Sequence, residues 1–324
     1  MSYVFSSGFA SRIIDHIEQR SILGYSIAGT KDILANFDRF CKGRFPEETN
    51  LTQEIAFAWC DDAQGNAGSK RSIVLRSFSR YLALTGEDAY TLPPMFFPMK
   101  KPGLPYICTD SELARFFEAT DRFQSDCRSP LLEYTIPVIF RLQYACGLRP
   151  QEARKLRRMD VDLSGRTIYI ADGKHYKDRK LPVGERVMEM CCKYDRIAEE
   201  IVPGRAHFFQ SPAGSAYTPC WLSDSFSKCW EMSGNESRRR NGGRRSDCTP
   251  YSLRHRYATE TLMRWLEEGR NLNAWIPYLS AYMGHASFTA TYYYLRMLPE
   301  RLAHMDSMRT NHIIPEAADY EEAF

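Results

Sequence analysis

CGLRPQEARKL, residues 146 to 156, and RTIYIADGKHYKDRKLPV, residues 166 to 183, decide how the larger part of this chain folds. The first stretch follows an apolar helix pattern running from Ile136 to Tyr144. Gly147 suits a helix C-cap, because glycine enters the left-handed region without a Cβ penalty. Pro150 suits the first turn of the next helix, where its missing N–H is not needed. Arg149 is thereby held in a tight connection between two helices. In the second stretch Ile168 and Ile170 alternate with polar residues, Asp172-Gly173 turns the chain, and Leu181 and Val183 bring it back. Alternation with period two around such a turn predicts a β-hairpin with lysines near its tip. The expected class is mostly α with a small antiparallel β-sheet.

Helical patterns extend on both sides of this region. They resume from Glu185, interrupted by ESRRRNGGRRSD (236–247), a polar and arginine-rich stretch that reads as a flexible loop. Upstream, Thr109-Asp110-Ser111-Glu112 is a capping-box pattern ahead of Leu113, Phe116 and Phe117. Before it lies LPPMFFPMKKPGLPYI (92–107), with five prolines and a Lys-Lys pair. Proline removes backbone donors and fixes φ, so this stretch reads as an extended linker. The first ninety or so residues are helical again. Ile33, Leu34, Phe37 and Phe40 make one apolar stripe, and Val74, Phe78, Tyr81 and Leu82 another that stops near Gly86. Two domains are therefore expected, 1–92 and 108–324, joined by a linker at 93–107. A length of 324 residues also exceeds what one core usually organises.

Composition excludes several classes. Hydrophobic residues at 44% and charged residues at 26% are ordinary for a soluble globular protein, and no run is long enough for a membrane span. The opening MSYVFSSGFASR lacks the basic and apolar regions of a secretory signal. Ten scattered cysteines form no CxxC pair, so reduced thiols in a cytoplasmic protein are expected, with no metal site. A net charge of +3 decides nothing about nucleic acid, because distribution matters more than the sum. Arg71, Arg76 and Arg80 fit either a solvated basic face or DNA contact. The loop arginines Arg238, Arg239, Arg240, Arg244 and Arg245 fit a surface lying on DNA phosphates, adding affinity and salt dependence but not sequence choice.

Four segments of the second domain stand out: GLRPQE with Arg149, DGKHYKDRKLPV with Lys174, PYSLRHRYAT with Tyr251 and Arg254, and MGHASFTATYYYL with His285 and Tyr294. Each alone has an ordinary structural reading: a capping arginine paired with Glu152, a solvated lysine, a helix salt bridge, a glycine C-cap and a tyrosine cluster in a core. In this order and at these spacings they resemble the tyrosine recombinase (phage integrase) family. Its pattern is an arginine in a GLR turn, a lysine on a β-hairpin, an HxLRH box, and a GH followed nine residues later by a nucleophilic tyrosine. The resemblance covers roughly residues 105 to 300. It extends more weakly over 10 to 95, where GYSIAGT and RSFSRYL match the family's helical core-binding domain.

The resemblance implies a two-domain clamp around double-stranded DNA that cleaves and rejoins it through a covalent 3′-phosphotyrosine. The chemistry asks for the same residue types. Attack on a phosphodiester develops charge on its nonbridging oxygens, and the forks of Arg149 and Arg254 match those oxygens. Lys174 is the choice for the acid that protonates the departing 5′ oxygen. A phenol forms a covalent ester that keeps the bond energy for religation, so no cofactor, metal or nucleotide is needed. Tyr294 lies nine residues after His285 and is the expected nucleophile, whereas Tyr292 and Tyr293 are turned away from it by about 200° and about 100°.

One position departs from the pattern, because Tyr251 stands where the family box begins with histidine. A phenol hydrogen-bonds a phosphate oxygen but is no base near neutral pH. Two readings fit: Tyr251 donates to the scissile phosphate while His285 carries the remaining imidazole role, or Tyr251 only packs. Glu152 is expected to hold an arginine in place, and His255 to pack or cap locally.

The resemblance further implies four protomers on two paired sites, with the segment beyond Tyr294 docking on a neighbour. Leu302, Met305 and Met308 would form the docking helix, and the acidic end would remain solvated. A site-specific recombinase of a mobile element is the leading expectation. A type IB topoisomerase-like relaxing enzyme shares the covalent chemistry, and a non-catalytic DNA-binding derivative is the third alternative.

Overall fold

The computed structural model describes residues 3–25, 27–63, 66–98, 105–125, 127–171, 178–235, 248–285, 289–295 and 298. The chain divides into two compact units, Met1–Gly103 and Leu104–Phe324, and the division falls inside the proline-rich stretch. The architecture is mostly helical, with a small three-stranded antiparallel sheet. Among the described residues no helix is long and apolar enough to cross a membrane.

The first unit contains α1 (Ala10–Ile22), α2 (Ala28–Arg44), α3 (Gln53–Asp61) and α4 (Ala67–Leu84). Leu34 and Phe37 from the α2 stripe and Phe78 and Leu82 from the α4 stripe are buried in one cluster. Ile33, Phe40, Val74 and Tyr81 line its margin. The Phe37 ring lies 4.9 Å from that of Trp59, whose indole N–H donates to Asn36 Oδ1 at 3.0 Å. Gly86, at φ 89°, follows α4 and ends it.

The second unit opens with α5 (Asp110–Asp121), capped as its sequence predicts. Glu112 N–H donates to Thr109 Oγ1 at 3.2 Å, and Thr109 N–H donates to Glu112 Oε2 at 2.8 Å. Next comes α6 (Leu132–Ala145), apolar on most faces and buried from Thr135 to Phe140. It packs against α5, α8 (Glu185–Ile201) and α10 (Pro250–Glu267). Phe116 lies 5.5 Å from Phe140 and 4.6 Å from Phe226, the latter on α9 (Pro219–Met232). Truncating one such ring costs about 3–5 kcal/mol, so this cluster anchors the frame that carries the site.

Between α7 (Pro150–Lys155) and α8 lie β1 (Val161–Asp162), β2 (Thr167–Ile170) and β3 (Arg179–Pro182). The hairpin pairs Ile168 with Leu181 and Ile170 with Arg179. Sequence reading anticipates β2 and β3 but not β1, whose two residues are too few to show a period. Two further helices, α11 (Leu272–Met283) and α12 (Thr289–Leu295), close the described chain. The hairpin tip with Lys174, the loop arginines at 238, 239, 240, 244 and 245, and the expected docking segment lie outside the described residues.

Candidate active site

The turn between α6 and α7 is built around Gly147, at φ 58°. A Cβ there would lie 2.5 Å from the Tyr257 ring, so both conformation and space require glycine. Two residues later Arg149 caps α7, its backbone N–H donating to Glu152 Oε2 at 2.8 Å. The same carboxylate receives Arg149 Nη1 at 2.6 Å and Arg179 Nη1 and Nη2 at 3.1 and 2.8 Å. Arg179 comes from β3. Position 179 shares its strand face with buried Leu181, two residues on, so the side chain turns inward. Burial alone would raise the Glu152 pKa. The hydrogen bonds and charge of Arg179, with Arg149, outweigh it and hold the carboxyl below its usual range.

Three arginines converge on the end of α11. The last carbonyls of a helix have no partner within it and carry the negative end of its dipole. Here Tyr282 O accepts from Arg179 Nε at 2.8 Å and Met283 O from Arg254 Nη2 at 2.7 Å, while Gly284 O accepts from Arg149 Nη2. Arg254 also donates through Nη1 to Gly147 O at 2.6 Å, tying the α6–α7 turn to the α11 terminus. Burial, and then the neighbouring charge of Arg149, lower the Arg254 pKa to about 10, which leaves it cationic at neutral pH.

Gly284 makes this convergence possible. Its φ of 64° is left-handed, and a Cβ would lie 2.9 Å from Arg179 Nη1. Gly284→Ala is therefore expected to lower stability by about 1–2 kcal/mol from backbone conformation alone, plus whatever displacing Arg179 adds. Thermal unfolding of the variant beside wild type measures this, and an unchanged midpoint would contradict it.

Immediately after Gly284, His285 enters the same space. Its Nδ1 lies 2.7 Å from Thr291 Oγ1, and its ring stacks on that of Tyr294 with centroids 6.2 Å apart. Tyr294 itself is buried, and its hydroxyl lies 3.0 Å from His255 Nδ1. Of its two neighbours, Tyr292 is exposed and Tyr293 is half-buried with its ring edge-on to Tyr294. Burial raises the Tyr294 pKa against the opposing charge of Arg254, so the phenol is protonated at neutral pH. Burial first, and then Arg254, lower the pKa of His255 to about 4 and of His285 to about 3. Both imidazoles are neutral in the free protein.

The structure thus brings Arg149, Arg254, His285 and Tyr294 together, with Glu152 beneath Arg149. Tyr251 is exposed. It stands one turn before His255 on α10, with ring centroids 6.0 Å apart, and it borders a cleft of about 630 Å³ together with Arg149, Lys155, Tyr169 and Ala171. Ala171 is the last described residue before the hairpin tip.

In the first unit the three α4 arginines separate. Arg71 turns onto α3, donating to Trp59 O at 2.6 Å and lying 3.6 Å from Asp62. Arg76 and Arg80 border a cleft of about 400 Å³ with Arg20, Ser77 and His16. Among the described residues Arg20 Nε and Arg76 Nη1 have no hydrogen-bond partner there.

Sequence reasoning passed over Arg179 and read His255 as a residue that packs or caps locally. Arg179 was signalled by strand alternation, a charge in phase with inward Leu181 and Val183. His255 is the last residue of the LRH run, but its contact with Tyr294 spans 39 positions and depends on how α12 packs on α10, which the run does not show.

A neutral phenol ringed by imidazoles and guanidinium groups suits an enzyme whose tyrosine attacks an anionic ester. Comparison with known proteins agrees on the class: the phage integrase family profile matches residues 108–301. The chain belongs to the phage integrase family, the tyrosine recombinases, enzymes that break and rejoin DNA strands. The Sinorhizobium fredii (strain NBRC 101917 / NGR234) protein y4rE, an integrase/recombinase by name, is 28% identical over 90% of this chain and 92% of its own length. The tyrosine recombinase XerC of Nitrobacter winogradskyi is 28% identical over 82% of this chain and 77% of its own. Among solved structures, the fold is similar to that of the XerH site-specific recombinase bound to difH substrate. That likeness has a TM-score of 0.60 and 20% identity, over 93% of this chain and 85% of that one. The Tn1549 transposon integrase with transposon right end DNA gives 0.61 and 15%, over 90% and 99%.

Proposed function

We propose that this protein is a site-specific recombinase of a mobile element that cleaves duplex DNA through a 3′-phosphotyrosine at Tyr294. The observation that carries the reading is the buried Tyr294 hydroxyl placed beside His255 and the Arg254 guanidinium, with Arg149 bound to the same helix end. Arg149 and Arg254 neutralise the scissile phosphate, and Lys174 on the hairpin protonates the 5′ oxygen. His285 supports the Tyr294 ring, and Glu152 fixes Arg149. Arg76 and Arg80, with the arginines of the 236–247 loop, contact the DNA backbone, and four protomers pair two sites. Relatives named as integrases and recombinases support the mobile-element role, and DNA-bound recombinases of similar fold support duplex DNA as the partner.

Tyr251 is assigned a hydrogen bond to a phosphate oxygen at the cleft. The test begins with duplexes selected from a random pool by gel shift with the full chain. A selected duplex is then nicked beside its cleavage point to trap the covalent adduct. Tyr251→Phe is expected to slow adduct formation by roughly tenfold, the loss of one hydrogen bond of about 1.4 kcal/mol. A rate equal to wild type would remove Tyr251 from the site. Recombination between two selected sites on a plasmid supports the proposed function, and relaxation of a plasmid lacking them, without recombination, would overturn it in favour of a topoisomerase.

A further inference from the structure

The phenol that attacks must lose its proton, and this chain has Tyr251 where the family pattern places an imidazole. We propose that His255 is the base that takes the Tyr294 proton, its Nδ1 doing one turn further along α10 what Tyr251 has no group to do. The inference rests on the reading of Tyr294 as the nucleophile.

Geometry selects His255 over its neighbours. Its Nδ1 lies 3.0 Å from the Tyr294 hydroxyl oxygen, within the range needed for direct proton transfer. His285 meets Tyr294 ring to ring, and its Nδ1 is engaged by Thr291 Oγ1 at 2.7 Å. Tyr251 is a phenol on the exposed surface. The charged and titratable groups facing His255 are Arg254 and Tyr251 on its own helix and Tyr294 on α12.

The step balances without any outside reagent. The Tyr294 O–H bond breaks and its proton passes to His255 Nδ1, whose ring then carries a proton on each nitrogen. The phenolic oxygen forms its bond to phosphorus as the phosphorus–5′ oxygen bond breaks, and the departing oxygen takes a proton from the acid assigned to Lys174. In religation the 5′ hydroxyl gives its proton back to the amine assigned to Lys174 as its oxygen attacks phosphorus. The phosphorus–tyrosine oxygen bond breaks, and the imidazolium returns its proton to the departing tyrosine oxygen.

The surroundings also couple the base to its substrate. In the free protein, burial and Arg254 disfavour a charged imidazole, and burial disfavours a phenolate. A phosphodiester bound among the arginines brings an anion that offsets their charge, so imidazolium formation becomes easier when DNA is in place. Tyr294 therefore remains a protonated, unreactive phenol until a strand is bound.

The test uses the full chain and a nicked duplex selected as above, with single-turnover adduct rates and gel-shift affinity measured for each variant. His255→Asn places an amide near the Nδ1 position that accepts a hydrogen bond but takes no proton. His255→Ala removes both functions. Both variants are expected to bind DNA as wild type does and to form adduct roughly 10²- to 10⁴-fold more slowly. Raising the pH, or placing a fluorinated tyrosine of lower pKa at position 294, is expected to restore much of the rate in His255→Asn. A merely structural defect would not respond in that way. A wild-type rate in His255→Asn, or a loss that neither high pH nor the fluorinated tyrosine reduces, overturns the proposal while leaving Tyr294 as nucleophile. Adduct that persists in Tyr294→Phe overturns the nucleophile reading itself.

Discussion

Tyr294→Phe is expected to abolish covalent capture of DNA while leaving DNA binding and folding intact. The substitution removes one oxygen, and in the proposed mechanism that oxygen is the atom that forms the bond to phosphorus. Loss of the nucleophile eliminates the step, so the adduct rate falls by on the order of 10⁴-fold or more, to assay background. The effect on stability is small by comparison. The hydroxyl is hydrogen-bonded to His255 at 3.0 Å and lies beside Arg254, and the net contribution of each such bond is about 0.5–1.5 kcal/mol. The Tyr294 ring, which packs with Ala258, Leu262 and Met283, is retained. Tyr292→Phe and Tyr293→Phe serve as matched controls and are expected to cleave normally, because neither ring sits between the two histidines. A suicide duplex resolved on a denaturing gel reads all three.

Glu152→Ala is expected to be the most damaging single change to the site's stability. One carboxylate, 8% exposed, balances Arg149 and Arg179, and it also caps the first turn of α7. Removing it leaves two half-buried guanidinium groups without their counter-charge. Deleting one partner of a buried ion pair costs about 3–5 kcal/mol. Denaturant unfolding should show that loss. DNA capture should fall with it, since Arg149 would no longer be held against the α11 terminus.

The pH dependence follows from the sign of each shift. Glu152 is held below its unfolded pKa, so its contribution is present above the unfolded value of about 4.3 and disappears as pH falls through the lower folded value. His255 and His285 are held at about 4 and about 3, below the unfolded value of about 6.5. Their unfolded forms bind protons first, so stability begins to fall below about pH 6.5. Wild type is expected to lose stability steadily from there into acid. Glu152→Ala should lose less additional stability in the most acidic part of that range, because its carboxylate term is already gone.

Local signals made most of the frame legible. The capping box at Thr109–Glu112, the apolar stripes of α2 and α4, the glycine turn before Arg149 and the hairpin all depend on neighbours within a few residues. Spacing likewise selected Tyr294 from a run of three, and the structure buries that tyrosine alone. Long-range partnership was less legible. The arginines gather on three successive carbonyls at the end of α11, those of Tyr282, Met283 and the capping Gly284, a feature of backbone geometry that no side-chain pattern records. His255 reaches Tyr294 only because α10 and α12 pack together, so a residue read as local packing touches the proposed nucleophile. Arg179 was available in principle, since strand alternation marks it as inward. Arg71, on the same helix as Arg76 and Arg80, turned toward Trp59 because a tryptophan face and a carbonyl lie within its reach.

The most direct test of the account is to identify the residue that carries DNA. The full chain is reacted with a nicked duplex, the complex is denatured and digested with protease and nuclease, and the nucleotide-linked peptide is sequenced by mass spectrometry. The account predicts a peptide containing residues 292 to 294 with the phosphate on Tyr294, joined to the 3′ end of the cleaved strand. Phosphate on Tyr292 or Tyr293, a link to a 5′ end, or cleavage without any linked peptide would contradict it.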